Sequence, residues 1–76
     1  MYIGVQFKDK NKNFKGKVYD FEVVGKPPKK GSIIRMYSPD FTRVVCNATR
    51  VKVIDVKEKS DKSQDVISYV ETTLDD

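Results

Sequence analysis

Few residues in this chain could do covalent chemistry. Cys46 is the only thiol, and histidine is absent from all 76 residues. A cysteine becomes nucleophilic when a base or a positive dipole draws off its proton and solvent can reach it. Arg43 and Arg50 lie near it in sequence, but no imidazole is available as base, so Cys46 reads as a small buried apolar residue. A single cysteine allows no intrachain disulfide, and without histidine the usual zinc ligand sets cannot be assembled. Asp20, Glu22, Asp55 and Glu58 could supply a general acid–base pair, yet acids that alternate with apolar residues on a strand ordinarily face solvent. Asn47-Ala48-Thr49 matches a glycosylation acceptor, which has meaning only in a secreted chain. No phosphate-cradling glycine loop, dinucleotide fingerprint or nucleophile elbow is present. The expectation is a protein that is not an enzyme and uses no cofactor and no metal.

Non-covalent chemistry has much more to work with. Residues 1–60 carry 14 Lys and Arg against six Asp and Glu, whereas residues 61–76 carry one against five. The basic part is interleaved with aromatics. Lys10, Lys12, Lys15 and Lys17 surround Phe14; Lys29, Lys30 and Arg35 precede Tyr37; Arg43 and Arg50 follow Phe41. Cations can neutralise phosphates or acidic side chains, and rings can stack on bases, which is how small barrels hold single strands. The same aromatics are also the natural filling of a small core.

These residues need strands to position them. Tyr2 to Lys8 alternates, with Ile3, Val5 and Phe7 on one face. Asp9 to Asn13 is a polar hairpin loop. Phe14 to Val24 is a second strand, with Gly16 marking a bulge or bend and with Tyr19, Phe21 and Val23 sharing a face. Gly25 to Gly31 is a stiff connector, because its two prolines cannot donate to a ladder. Ser32 to Tyr37 is a third strand, and Ser38-Pro39-Asp40 turns the chain. Phe41 to Lys57 is too long for one straight strand, and a break is expected at Asn47-Ala48-Thr49. Its apolar parity also flips between Val53 and Ile54, which a strand with one buried face can do only through a bulge or sharp bend. The tail is read as a turn or single helical turn at Ser63–Ile67 followed by a strand from about Ser68 to Leu74, paired most naturally with the first strand to close the sheet.

The expected architecture is a single all-β domain, a five-stranded SH3-like or OB-like barrel. Its expected core is Ile3, Val5, Phe7, Tyr19, Phe21, Ile33, Val51, Val53 and Val70. At this length only about 60% of the unfolded chain's surface is buried, so that core is small. The N-terminus has no basic segment followed by a long apolar one, and no apolar run approaches the roughly 20 residues of a membrane helix, so a cytoplasmic protein without membrane contact is expected.

The chain resembles the small β-domain proteins encoded by bacteriophages and prophages. The residues that carry the resemblance are Gly-Val-Gln-Phe-Lys at 4–8, Lys-Lys-Gly-Ser-Ile-Ile at 29–34, Val-Lys-Val-Ile-Asp-Val at 51–56 and Tyr-Val-Glu-Thr-Thr-Leu-Asp at 69–75. The loop at Lys26–Lys30 is longer than that group usually carries. The resemblance implies a β-barrel and brings no catalytic or binding residues. The expected function is a non-enzymatic binding or accessory module with a host or phage protein as partner; the alternative is binding of single-stranded nucleic acid. The candidate contact residues are Lys10, Lys12, Lys15, Lys17, Lys29, Lys30, Arg35, Tyr37, Arg43 and Arg50.

Overall fold

The computed structural model describes residues 1–45, 50–61 and 63–72. Its strands are β1 (Tyr2–Phe7), β2 (Tyr19–Val23), β3 (Ile33–Tyr37), β4 (Arg50–Lys57) and β5 (Ser63–Glu71). They close into a five-stranded barrel in the order β1-β2-β5-β3-β4, with β4 pairing back onto β1. No helix occurs among the described residues, and none is long and apolar enough to cross a membrane. The expectation of a small five-stranded all-β barrel holds.

The alternation of side chains builds the interior. Ile3 and Val5 from β1, Phe21 and Val23 from β2, Ile34 and Met36 from β3, Val51 and Val53 from β4 and Ile67 from β5 are buried together. Phe7, Tyr19, Val45, Val56 and Tyr69 pack against them from the rim. Phe7 meets Tyr19 edge to face at 5.3 Å between ring centres.

The parity flip in β4 is resolved by a bulge. Gly4 pairs with Asp55 and Val5 with Val53, so Ile54 is an extra residue and Val56 returns to the inner face opposite Ile3. Gly4 sits on the outer face beside this bulge. A Cβ there would come within 2.9 Å of Val18 Cγ1 and 3.4 Å of Asp20 Oδ1, so the close approach of β2 uses the missing side chain.

Several expectations need correction. Ser63–Ile67 is not a helical turn; β5 begins at Ser63, in keeping with its β-branched content. The last strand does not pair with the first. It inserts between β2 and β3, parallel to β2 (Glu22↔Val66, Val23↔Ile67) and antiparallel to β3 (Arg35↔Val70, Tyr37↔Ser68).

Two core assignments also move by parity. In β3, Ile34 and Met36 are fully buried, and Ile33 shares the outer face with Arg35, which cannot go inside. In β5, Ile67 is fully buried and Val70 is 46% exposed. The outer parity there includes Ser68, whose hydroxyl donates to the Pro39 carbonyl at 3.1 Å beneath the turn that follows β3. The second strand is shorter than expected, beginning at Tyr19, although Phe14 forms an isolated bridge with Lys8. Cys46, Asn47-Ala48-Thr49 and Leu74 lie outside the described residues.

Candidate binding face

The strand register sorts the outward residues into rows. On β3 the outer positions are Ile33, Arg35 and Tyr37, alternating with buried Ile34 and Met36. Arg35 faces Arg50 across β4 on one side and Val70 across β5 on the other. Ile33 faces Lys52. On the far side of β4, Phe7 pairs with Val51 and Gln6 with Lys52. The pairing of β1 with β4 ends at Phe7–Val51, and Lys8 is the next residue, beyond the end of β1 and bridged to Phe14. Arg50 and Arg35 therefore form a row of cations across β4 and β3, with Lys52 one row below and Lys8 following Phe7 at the Arg50 end.

Like charges directly opposite one another repel, by an amount of order 1 kcal/mol near a surface. No acid stands in register beside Arg35; Glu71, one step along β5, pairs with Ile34 and has the opposite parity. The Arg35 Nε is closed off from solvent and lacks a hydrogen-bond partner among the described residues. Leaving such a donor unmet costs about 1–3 kcal/mol.

The acids lie elsewhere. Asp20 and Asp55 flank Gly4 on the outer face of β2 and β4. Asp20 is bound by Lys57 at 2.8 Å and accepts a short hydrogen bond from the Ser60 hydroxyl. That hydrogen-bonded contact with Asp20 raises the Lys57 pKa above its usual value. Charge is thus divided along β4, with Arg50 and Lys52 toward its start and Asp55 toward its end.

The turn after β3 brings an aromatic to this face. Asp40 Oδ1 accepts from the Thr42 hydroxyl at 2.7 Å, the Ser38 hydroxyl at 2.7 Å and the Thr42 amide at 3.1 Å. These bonds favour the carboxylate, the Thr42 hydroxyl most of all, and draw the Asp40 pKa from 3.8 down to about 2. The Phe41 amide donates to the Ser38 carbonyl at 2.8 Å, while the Ser38 amide donates to the Arg43 carbonyl at 2.8 Å. Held this way, Phe41 is 56% exposed and its ring lies 5.8 Å from that of Tyr37, tilted by 36°. Its φ is 61°, in the left-handed region that bulky residues avoid, at a cost of about 1–3 kcal/mol. Exposed Val44 bridges to Tyr37, and exposed Val70 lies beside Arg35.

Of the candidate contact residues, the fold gathers Arg35, Arg50 and Tyr37 on one face and puts Arg43 on the turn above it. Lys10, Lys12, Lys15 and Lys17 are all exposed on the β1–β2 connection, which leaves from beside the start of β4. Asp9 is the only acid of that loop, and its carboxylate is occupied in accepting from the Asn11 and Asn13 amides at 2.8 and 2.9 Å. Lys8 lies over the Phe14 ring at 5.6 Å and Lys17 over the Tyr19 ring at 5.3 Å. Lys29 and Lys30 are also exposed but do not join the row. Gly31, next to them, donates to the Val53 carbonyl, three residues along β4 from Arg50, or about 10 Å. Lys8 and Lys52 belong to the face although their strands mark them only as outward positions. The alternation within each strand was their signal; the register that joins the strands was not available from it. Searches against protein-family models, curated proteins and solved structures find no match to this chain.

Proposed function

We propose that the chain is a non-enzymatic binding module that works through the outer face of β4, β3 and β5, and that its partner there is anionic. The supporting observation is the cross-strand pairing of Arg35 with Arg50, which holds two cations in register with no acid beside Arg35. An anion bound at Arg35 would offset this like-charge contact and accept from the guanidinium. The face offers a fixed sheet for the cations and hydrogen-bonded turns at its margin, so little ordering would oppose binding.

A protein partner is the second reading. It is favoured by the exposed apolar residues Phe41 and Val44 beside Tyr37 and Val70 beside Arg35, since aromatics and arginine are enriched in protein interfaces. The resemblance to phage and prophage β-domains fits an accessory role of either kind.

The test is an NMR titration with inorganic polyphosphate. Shifts are expected to concentrate at residues 33–44 and 50–52, and the Arg35→Gln, Arg50→Gln double variant should abolish them. Shifts confined to Lys10–Lys17 or Lys29–Lys30, unaffected by the double variant, would remove this face from consideration.

A further inference from the structure

Resting on that reading of the face, we infer that the anionic partner is single-stranded nucleic acid, with phosphates along Lys8, Arg50 and Arg35 and a base stacked on the Tyr37–Phe41 pair. Charge complementarity gives the first part. Arg35 and Arg50 face each other across β3 and β4, Lys8 follows β1 beside the start of β4, and the exposed lysines of the β1–β2 connection continue the positive potential beyond it. Such a track suits a backbone carrying one charge per repeat.

The rings distinguish a nucleic acid from an acidic peptide. Phe41 stands out in solvent in a backbone conformation that glycine or asparagine would adopt with less strain. The turn that holds it there is closed by the Ser38 and Thr42 hydroxyls donating to Asp40, by the Arg43 amide donating to the Ser38 hydroxyl, and by backbone bonds from Phe41 to Ser38 and from Ser38 to Arg43. Packing in the barrel does not require an exposed ring at this position. A ring beside Tyr37, at the edge of a cationic row, offers a π-face to a base, whereas an acidic peptide needs only the cations. Bases paired within a duplex are stacked already and cannot lie on this ring without being unstacked, so the single strand is the form that fits.

The experiment measures anisotropy with a labelled ten-nucleotide oligothymidylate, an abasic phosphodiester of the same length and a polyglutamate peptide, each at several salt concentrations. The oligothymidylate should bind most tightly, with a log–log salt slope of about −2 for three phosphate contacts on a single strand. Arg35→Gln and Lys8→Gln should each flatten that slope by about 0.7. Phe41→Gly removes the ring and relieves the positive φ, so its melting temperature should stay within a few degrees of the parent. Its affinity for oligothymidylate should nevertheless fall by about 5-fold or more, the least that removing a stacking ring produces, with no change for the abasic chain.

The inference is overturned if oligothymidylate binds no tighter than the abasic chain or polyglutamate, or if Phe41→Gly leaves its affinity unchanged. If the arginine dependence survives that outcome, the anion-binding face stands and only the nucleic-acid assignment falls. If none of the three probes binds at low salt, both fall.

Discussion

The placement of β5 can be tested by comparing two aliphatic residues three positions apart. Ile67 is fully buried in the core, and Val70 is 46% exposed beside Arg35. Replacing Ile67 by alanine removes buried methyl and methylene groups and leaves a cavity, at about 2–5 kcal/mol. A domain of this size has about 4–11 kcal/mol of total stability, so the loss could take half or more of it. Val70→Ala gives up only strand propensity and a partly wet contact, about 1 kcal/mol or less. Urea denaturation followed by circular dichroism should give a much lower midpoint for Ile67→Ala with an unchanged slope, and a near-parental midpoint for Val70→Ala. In thermal melts the first variant should fall by at least about 8 °C. Equal losses at the two sites, or a larger loss at Val70, would refute the register, because a slip of one residue exchanges the two faces of a strand.

Removing residues 66–76 takes away the partners of Glu22 and Val23 on β2 and of Ile34 to Tyr37 on β3, opening two strand edges at once. Size-exclusion chromatography and thermal melting should then find aggregation or loss of a cooperative transition, and a monomeric, cooperatively melting truncation would contradict the β2-β5-β3 order. The turn that carries Phe41 should respond to acid. Because the folded Asp40 pKa of about 2 lies below the ordinary 3.8, its stabilising effect is complete above about pH 4 and is lost as pH falls toward 2. The Thr42 amide resonance should titrate with a midpoint near 2; a midpoint near 4 would mean that the carboxylate does not hold the turn.

The residues by themselves determined a good deal here. Alternation in Tyr2–Phe7 and Tyr19–Val23 assigned Ile3, Val5 and Phe21 to the interior, because a half-buried strand puts every second residue inside. The change of parity at Val53 and Ile54 required a bulge, and one is present opposite Gly4 and Val5. What alternation cannot fix is which parity of a mixed strand faces inward. Ile33 and Ile34 are adjacent and equally apolar, and the outward Arg35 and inward Met36 decide between them only once a core exists for one side to face. In the tail, Ile67 and Val70 were similarly ambiguous until β5 was seated between β2 and β3. Strand neighbours are non-local contacts, set by which pairings close the barrel and fill its interior together. That is why Arg35, Arg50 and Tyr37 could be named as cationic and aromatic candidates from the chain, while the row that joins Arg35 to Arg50, and leaves Lys29 and Lys30 apart from it, was decided by the tertiary register alone.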